Sequence, residues 1–140
     1  MKKRIGMLCA TLLFSCQGPE SSVPSMTYTY DEIETRIIPW ENLFDVEESH
    51  YYTLVFSKSC QHCLAIEERV IRYALSDSQP PLFFIEATPD IPKGTSISAT
   101  LGATSVEAVY VLGWPTLLEI EEATLVSHVA GEKAISEKLA

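Results

Sequence analysis

Cysteine is scarce in this sequence: four residues among 140, two of them (Cys9 and Cys16) close to the start. So few exclude a disulfide-stapled scaffold. Glycine is equally thin at six residues, and 46% of the chain is apolar against 21% charged. That balance excludes a collagen-like repeat and a disordered chain. Basic charge is the third shortage. After residue 15, seven Lys/Arg face nineteen Asp/Glu, a net −12 against −9 for the whole chain. A surface of that sign repels phosphate backbones and no Lys/Arg stripe offsets it, so nucleic acid is not an expected partner. The remaining length is enough for one compact domain and too little for two of ordinary size.

Residues 1–15 read as an address. Lys2-Lys3-Arg4 is followed by an apolar stretch from Ile5 to Phe14, shorter than the roughly 20 residues needed to span a bilayer but laid out like a secretory signal. The ending Leu13-Phe14-Ser15-Cys16 is similar to the bacterial lipobox. The similarity implies that Cys16 is lipidated and becomes the mature N-terminus, anchoring the protein outside the cytoplasm. Residues 16–25, with Gln17-Gly18-Pro19-Glu20-Ser21-Ser22, then serve as a flexible tether, and 26–140 form the folded domain. Cys9 is discarded with the signal, so Cys60 and Cys63 are the only cysteines left in the domain. Two intervening residues close too small a loop for much entropic stabilisation, which points to reactivity instead of stapling.

Met26 to Glu34 is read as a first, peripheral strand, and Pro39 to Phe44 as a short helix with Pro39 near its first turn. Tyr51–Phe56 (YYTLVF) and Leu82–Ile85 (LFFI) have the composition of buried strands. Between them the period turns helical: Cys63, Ile66, Val70, Ile71, Ala74 and Leu75 fall on one face, with Glu68 and Arg72 paired on another. Residues 88–105, rich in Thr, Ser, Gly and Pro, carry no legible pattern, and Ser105–Tyr110 is read as a helical turn or two. Thr116–Glu121 and Thr124–Val129 form a hairpin, and Glu132–Leu139 a final helix. Strand, helix, strand, connection, hairpin, helix describes an α/β sandwich with a central mixed sheet.

The chemistry is expected at Cys60-Gln61-His62-Cys63, where a buried strand hands over to a helix. Unpaired N–H groups and the positive end of the helix favour a thiolate at Cys60. Cys63, one turn later, is placed to resolve a mixed disulfide. His62, when protonated, and Lys58 are expected to support the thiolate, with Gln61 and His62 tuning the potential.

From about Tyr51 onward the chain resembles the thioredoxin superfamily, through the strand–CQHC–helix unit, Gly113-Trp114-Pro115-Thr116 opening a hairpin strand, and Gly131 before the last helix. The resemblance implies a three-layer α/β/α fold and a cis peptide before Pro115. It also implies that Trp114 and Pro115 shape a groove where an extended substrate pairs with the backbone. No cofactor is implied, since electrons pass between dithiols and disulfides of protein or peptide substrates and a recycling redox partner. In layout the chain is similar to extracytoplasmic bacterial lipoproteins, including accessory proteins near bacteriocin export systems.

It departs from the family in three places. Ser59 stands where an aromatic residue is usual, Gln-His replaces Gly-Pro, and Leu54 occupies the position of the strand acid that assists proton transfer. Glu119, inside an expected central strand, is the candidate replacement as proton relay. Two other readings compete. One is a non-catalytic adaptor that holds a peptide in the Trp114-Pro115 groove. The other is a metal site in which His62 and the cysteines are joined by His50 or His128, although only one close ligand pair exists where structural zinc usually takes two.

Overall fold

The computed structural model describes residues 28–140. The signal, the lipidated Cys16 and the tether expected for 1–25 lie outside the described residues, as does the start of the strand expected at Met26.

Four strands form one mixed sheet: β1 (His50–Phe56), β2 (Leu82–Glu86), β3 (Thr116–Glu121) and β4 (Thr124–Ala130), in the order β2-β1-β3-β4. Strand β1 pairs parallel with β2 and antiparallel with β3, with Val55 opposite Thr116 and Tyr52 opposite Glu119. All of β1 except His50 is buried, as expected for a central strand covered on both faces. The β3–β4 hairpin turns through Glu122 and Ala123, both at positive φ (51° and 59°), the backbone of a two-residue turn whose twist matches its strands.

Side chains alternate between two apolar layers. Tyr52, Leu54, Phe56, Phe84 and Leu117 face the helices α1 (Gln61–Ala65), α2 (Glu67–Leu75) and α3 (Glu132–Lys138) through Cys63, Ile66, Val70, Ile71 and Ile135. Tyr51, Val55, Ile85, Leu118 and Ile120 face the other way, onto Leu43, Ile91, Val109 and Val111. No α-helix covers that second face among the described residues. It is covered by irregular chain and short 3-10 turns, Trp40–Asn42, Ile97–Thr100 and Val106–Ala108. The segment without a sequence pattern is therefore this covering layer, in which single apolar residues dock without a period.

The expected first strand is instead a 3-10 helix, Tyr30–Arg36. Glu32 accepts the Thr29 N–H (3.3 Å), which starts the turn. Tyr30 and Ile33 then share one side, since residues three apart eclipse in a 3-10 helix, and both are buried. Only Ile37, just beyond, makes a bridge to the sheet, parallel to Phe84. The expected continuous helix after Cys60 is also divided, at Ile66 (φ −109°, ψ 7°). There the Tyr30 hydroxyl donates to the Cys63 carbonyl at 2.7 Å, and the Ile66 N–H reaches the same oxygen at 3.3 Å. A side chain inserted into the ladder is a recognised cause of such a break. The helix face carries the expected buried residues as far as Ala74, but Leu75 is 46% exposed.

Candidate functional site

The turn between β1 and α1 is built by serines. Ser57 Oγ accepts the Ser59 N–H at 3.2 Å, and the Cys60 N–H donates to the Ser57 carbonyl at 3.2 Å. This turn delivers Cys60 in an extended conformation as the residue capping α1. Its sulfur accepts the Cys63 N–H at 3.1 Å, so the cap of the helix is the thiol itself. The same sulfur lies 3.5 Å from the Trp114 carbonyl oxygen. The Trp114–Pro115 peptide is cis, as expected. Cys60 is partly accessible and Cys63 buried, both as free thiols. Burial pushes the Cys63 thiol up to about 12, helped by its hydrogen bond and charge interaction with Cys60.

Two further contacts hold the Trp114 side. Val111 pairs with residues 92–94, through its N–H to the Pro92 carbonyl and its carbonyl to the Gly94 N–H (both 3.0 Å). This pairing lays Lys93 over the Trp114 ring, with Nζ 4.0 Å from the centroid. Gly94 permits the pairing because a Cβ there would stand 1.9 Å from the Tyr110 ring. On the far side, Gly131 (φ 94°) donates its N–H to the Pro115 carbonyl at 3.1 Å and starts α3. Between α1, α3 and Pro115 runs an open groove of about 990 Å3, lined among others by His62, Ile66, Trp114, Pro115, Gly131 and Glu132.

The structure thus brings Cys60, Cys63, Trp114 and Pro115 together. It places the other expected participants elsewhere. Gln61 is exposed. His62 is 73% exposed, and its Nδ1 meets the Glu132 carboxylate on α3 instead of turning to Cys60. Lys58 is held by Asp31 at 3.1 Å. Glu119 is not near the cysteines: it lies four residues along β3 from Pro115, roughly 13 Å at the usual strand rise. One of its oxygens meets His50 Nε2 at 2.7 Å and the other Lys138 Nζ at 3.1 Å. Burial opposes its ionisation, but those two hydrogen bonds prevail and hold its carboxyl below the ordinary value. Leu54 is buried in the apolar layer behind the site. His50 is thus committed to Glu119, and His128 is buried against Thr100 on the opposite face, with Nδ1 3.0 Å from its hydroxyl. Among the described residues no three His, Cys, Asp or Glu side chains are grouped to hold a metal ion.

The sequence reading missed Tyr30. Its ring stacks on Phe56 at 4.3 Å, its hydroxyl holds the Cys63 carbonyl, and its own N–H donates to Glu67 at 2.9 Å. Burial, with the nearby Cys63, Glu67 and Cys60, pushes its phenol well above the ordinary value. The overlooked signal is local: Thr29 and Glu32 at capping-box spacing, with Tyr30 and Ile33 three apart.

No family model matches the sequence, and no curated protein matches it. Solved structures do match. Spinach chloroplast thioredoxin f, in its long form, aligns over 82% of this chain and 93% of its own at a TM-score of 0.50, with 12% identity. A thioredoxin from Aeropyrum pernix aligns over 72% of this chain and 81% of its own at a TM-score of 0.47, with 21% identity. With its β2-β1-β3-β4 sheet, its dithiol at the start of the first helix and its cis-proline facing it, this chain has the thioredoxin fold.

Proposed function

We propose that this protein is a thiol–disulfide oxidoreductase with Cys60 as nucleophile and Cys63 as resolving thiol. One observation carries the reading. The accessible sulfur caps a helix and accepts the N–H of the second cysteine at 3.1 Å, while facing the carbonyl before a cis-proline at 3.5 Å. The N–H holds the sulfur at the start of the helix, where a substrate disulfide can reach it, and a carbonyl beside it offers an extended substrate a pairing site.

The exchange balances without a cofactor. The Cys60 thiolate attacks one sulfur of a substrate disulfide, joins it, and releases the other as a thiolate. Cys63, once deprotonated, attacks Cys60 Sγ, closing the Cys60–Cys63 disulfide and releasing the second substrate thiol. Two electrons pass to the substrate, and a partner dithiol returns them; oxidation of a substrate runs the same steps in reverse. When Cys60 is bonded to substrate, its charge is gone. Of the causes raising Cys63, burial then stands without the Cys60 contribution, so the resolving thiol ionises more readily when it is needed. Trp114 and Pro115 form the substrate groove, and Gln61 and His62 tune the couple, His62 through its link to Glu132.

The reading extends to place and partners: a signal over residues 1–15, lipidation at Cys16, a tether to residue 25, and a domain working outside the cytoplasm on exported proteins or peptides. No helix among the described residues is long and apolar enough to cross a membrane; the anchor proposed is the lipid.

The test is exchange with a peptide disulfide under dithiol recycling. The wild type should turn over, Cys60→Ser should be inactive, and Cys63→Ser should accumulate a mixed disulfide at Cys60. Retention of the peptide by a Cys60→Ser/Cys63→Ser double variant, with no turnover by the wild type, would make the protein a peptide-holding adaptor instead.

A further inference from the structure

The described residues hold seven Lys/Arg. Lys58 pairs with Asp31, Arg72 with Glu68 and Lys138 with Glu119, and Arg36 donates to the Leu82 carbonyl. Arg69, Lys93 and Lys133 remain, with no carboxylate within 4.0 Å among the described residues. All three border one place. Arg69 and Lys133 line the groove with Trp114 and Pro115, and Lys93 lies on the Trp114 ring. The groove has two carboxylates, of which Glu132 is taken up by His62 and Glu137 has no cation within 4.0 Å among the described residues. In a chain of net charge −9, three of the four cations without a carboxylate partner among the described residues thus gather around the Trp114–Pro115 groove, while the fourth, Arg36, is spent on the Leu82 carbonyl.

Resting on the oxidoreductase reading, we propose that the groove selects acidic substrates: extended segments carrying Asp or Glu on either side of the reacting cysteine. Arg69 and Lys133, on α2 and α3, meet carboxylates on one side of the Pro115 pairing site. Lys93, fixed over Trp114 by the 92–94 pairing, meets them on the other. The acidic remainder of the surface repels such a segment everywhere but here, which steers it to the groove and sets orientation more than tightness.

The experiment uses the full chain and two synthetic peptides, each closed by one disulfide and identical except that the flanking residues are Glu in one and Lys in the other. The acidic peptide should be exchanged with kcat/KM about tenfold higher at low salt, mostly through KM, and the gap should shrink in 0.5 M salt. A triple variant, R69Q/K93Q/K133Q, alters three exposed side chains and should bring the ratio near one. Equal rates in the wild type, or a preference that persists in the triple variant, would overturn the acidic-substrate proposal while leaving the oxidoreductase reading in place. Exchange of neither peptide would overturn both.

Discussion

Cys60 and Glu119 stand at opposite ends of the same layer, and the chain treats polar groups there in opposite ways. At the Glu119 end each carboxylate oxygen has its own partner, the His50 ring nitrogen from β1 and the Lys138 ammonium from the last helix. The cluster ties three elements together, β1, β3 and the last helix. At the Cys60 end one sulfur is partly accessible, held by the Cys63 N–H and set against the Trp114 carbonyl, and three cations around the adjoining groove have no carboxylate within 4.0 Å among the described residues. Saturated partners mark the end that holds the fold, and unsaturated ones the end that meets something else. A buried acid inside a strand is costly unless compensated, and at Glu119 the compensation is structural.

The sharpest test of this contrast is at Tyr30, which belongs to the reactive end but serves packing. Tyr30→Ala removes a fully buried ring stacked on Phe56 and should cost about 3–5 kcal/mol in urea unfolding. Tyr30→Phe keeps the ring and gives up the hydroxyl on Cys63, for about 1 kcal/mol. His50→Ala at the other end, half of a partly exposed pair, should cost no more than about 1 kcal/mol. A Tyr30→Ala loss as small as that of His50→Ala would mean that the turn carrying Tyr30 is not part of the core.

Glu119→Gln distinguishes the two ends by function. It should leave the exchange rate unchanged while costing about 1–2 kcal/mol, from two charge-assisted hydrogen bonds weakened at once. The acid limb gives a second readout. Because the folded carboxyl titrates below its ordinary value of 4.5, its stabilisation is fully present above that pH and is lost as pH falls through the folded value. The Gln variant should show a flatter acid limb in melts between pH 5 and 3. A drop in exchange rate with the fold intact would restore the proton-relay role that the position of Glu119 argues against.

Much of this architecture was legible in the sequence because it follows from periodic burial. YYTLVF and LFFI are strands because both faces are covered, and Ile66, Val70, Ile71 and Ala74 form one helical stripe because one face is. The dithiol and Pro115 were legible as motifs, with Cys60 placed by the break at Ser57-Lys58-Ser59. What stayed hidden depends on contacts between distant segments. Tyr30 reaches Cys63 across 33 residues and His62 meets Glu132 across 70, and neither pairing leaves a local period. The division at Ile66 has the same origin, since it accompanies a hydroxyl from another element. Glu119 was misread for a related reason: its place inside a central strand was legible, but only strand register, which sets it opposite Tyr52, reveals which end of the sheet it occupies.

The smallest effect is expected on the face of the sheet away from the thiols. His128 is buried on β4, where its Nδ1 lies 3.0 Å from Thr100 Oγ1, and that hydroxyl donates its own hydrogen to the Ile97 carbonyl at 2.9 Å. Thr100 can therefore only accept from the ring, so the hydrogen sits on Nδ1 and Nε2 is a bare lone pair with no partner among the described residues. Protonation would bury a second N–H without an acceptor, and burial accordingly holds the imidazole below its ordinary value of 6.5. Below that pH the unfolded chain binds the proton more readily than the folded one, so stability falls as pH drops from 6.5 towards the folded value. His128→Gln keeps an amide donor for Thr100 and removes the titration. Subtracting its melting profile from that of the wild type between pH 7 and 5 cancels every other titrating group. The difference should move against the wild type by a few degrees, about the size expected for a minor stability change in a domain of this length. A difference that stays flat would mean that the layer over this face opens and solvates the ring, and that the face without α-helices is held less firmly than its buried residues indicate.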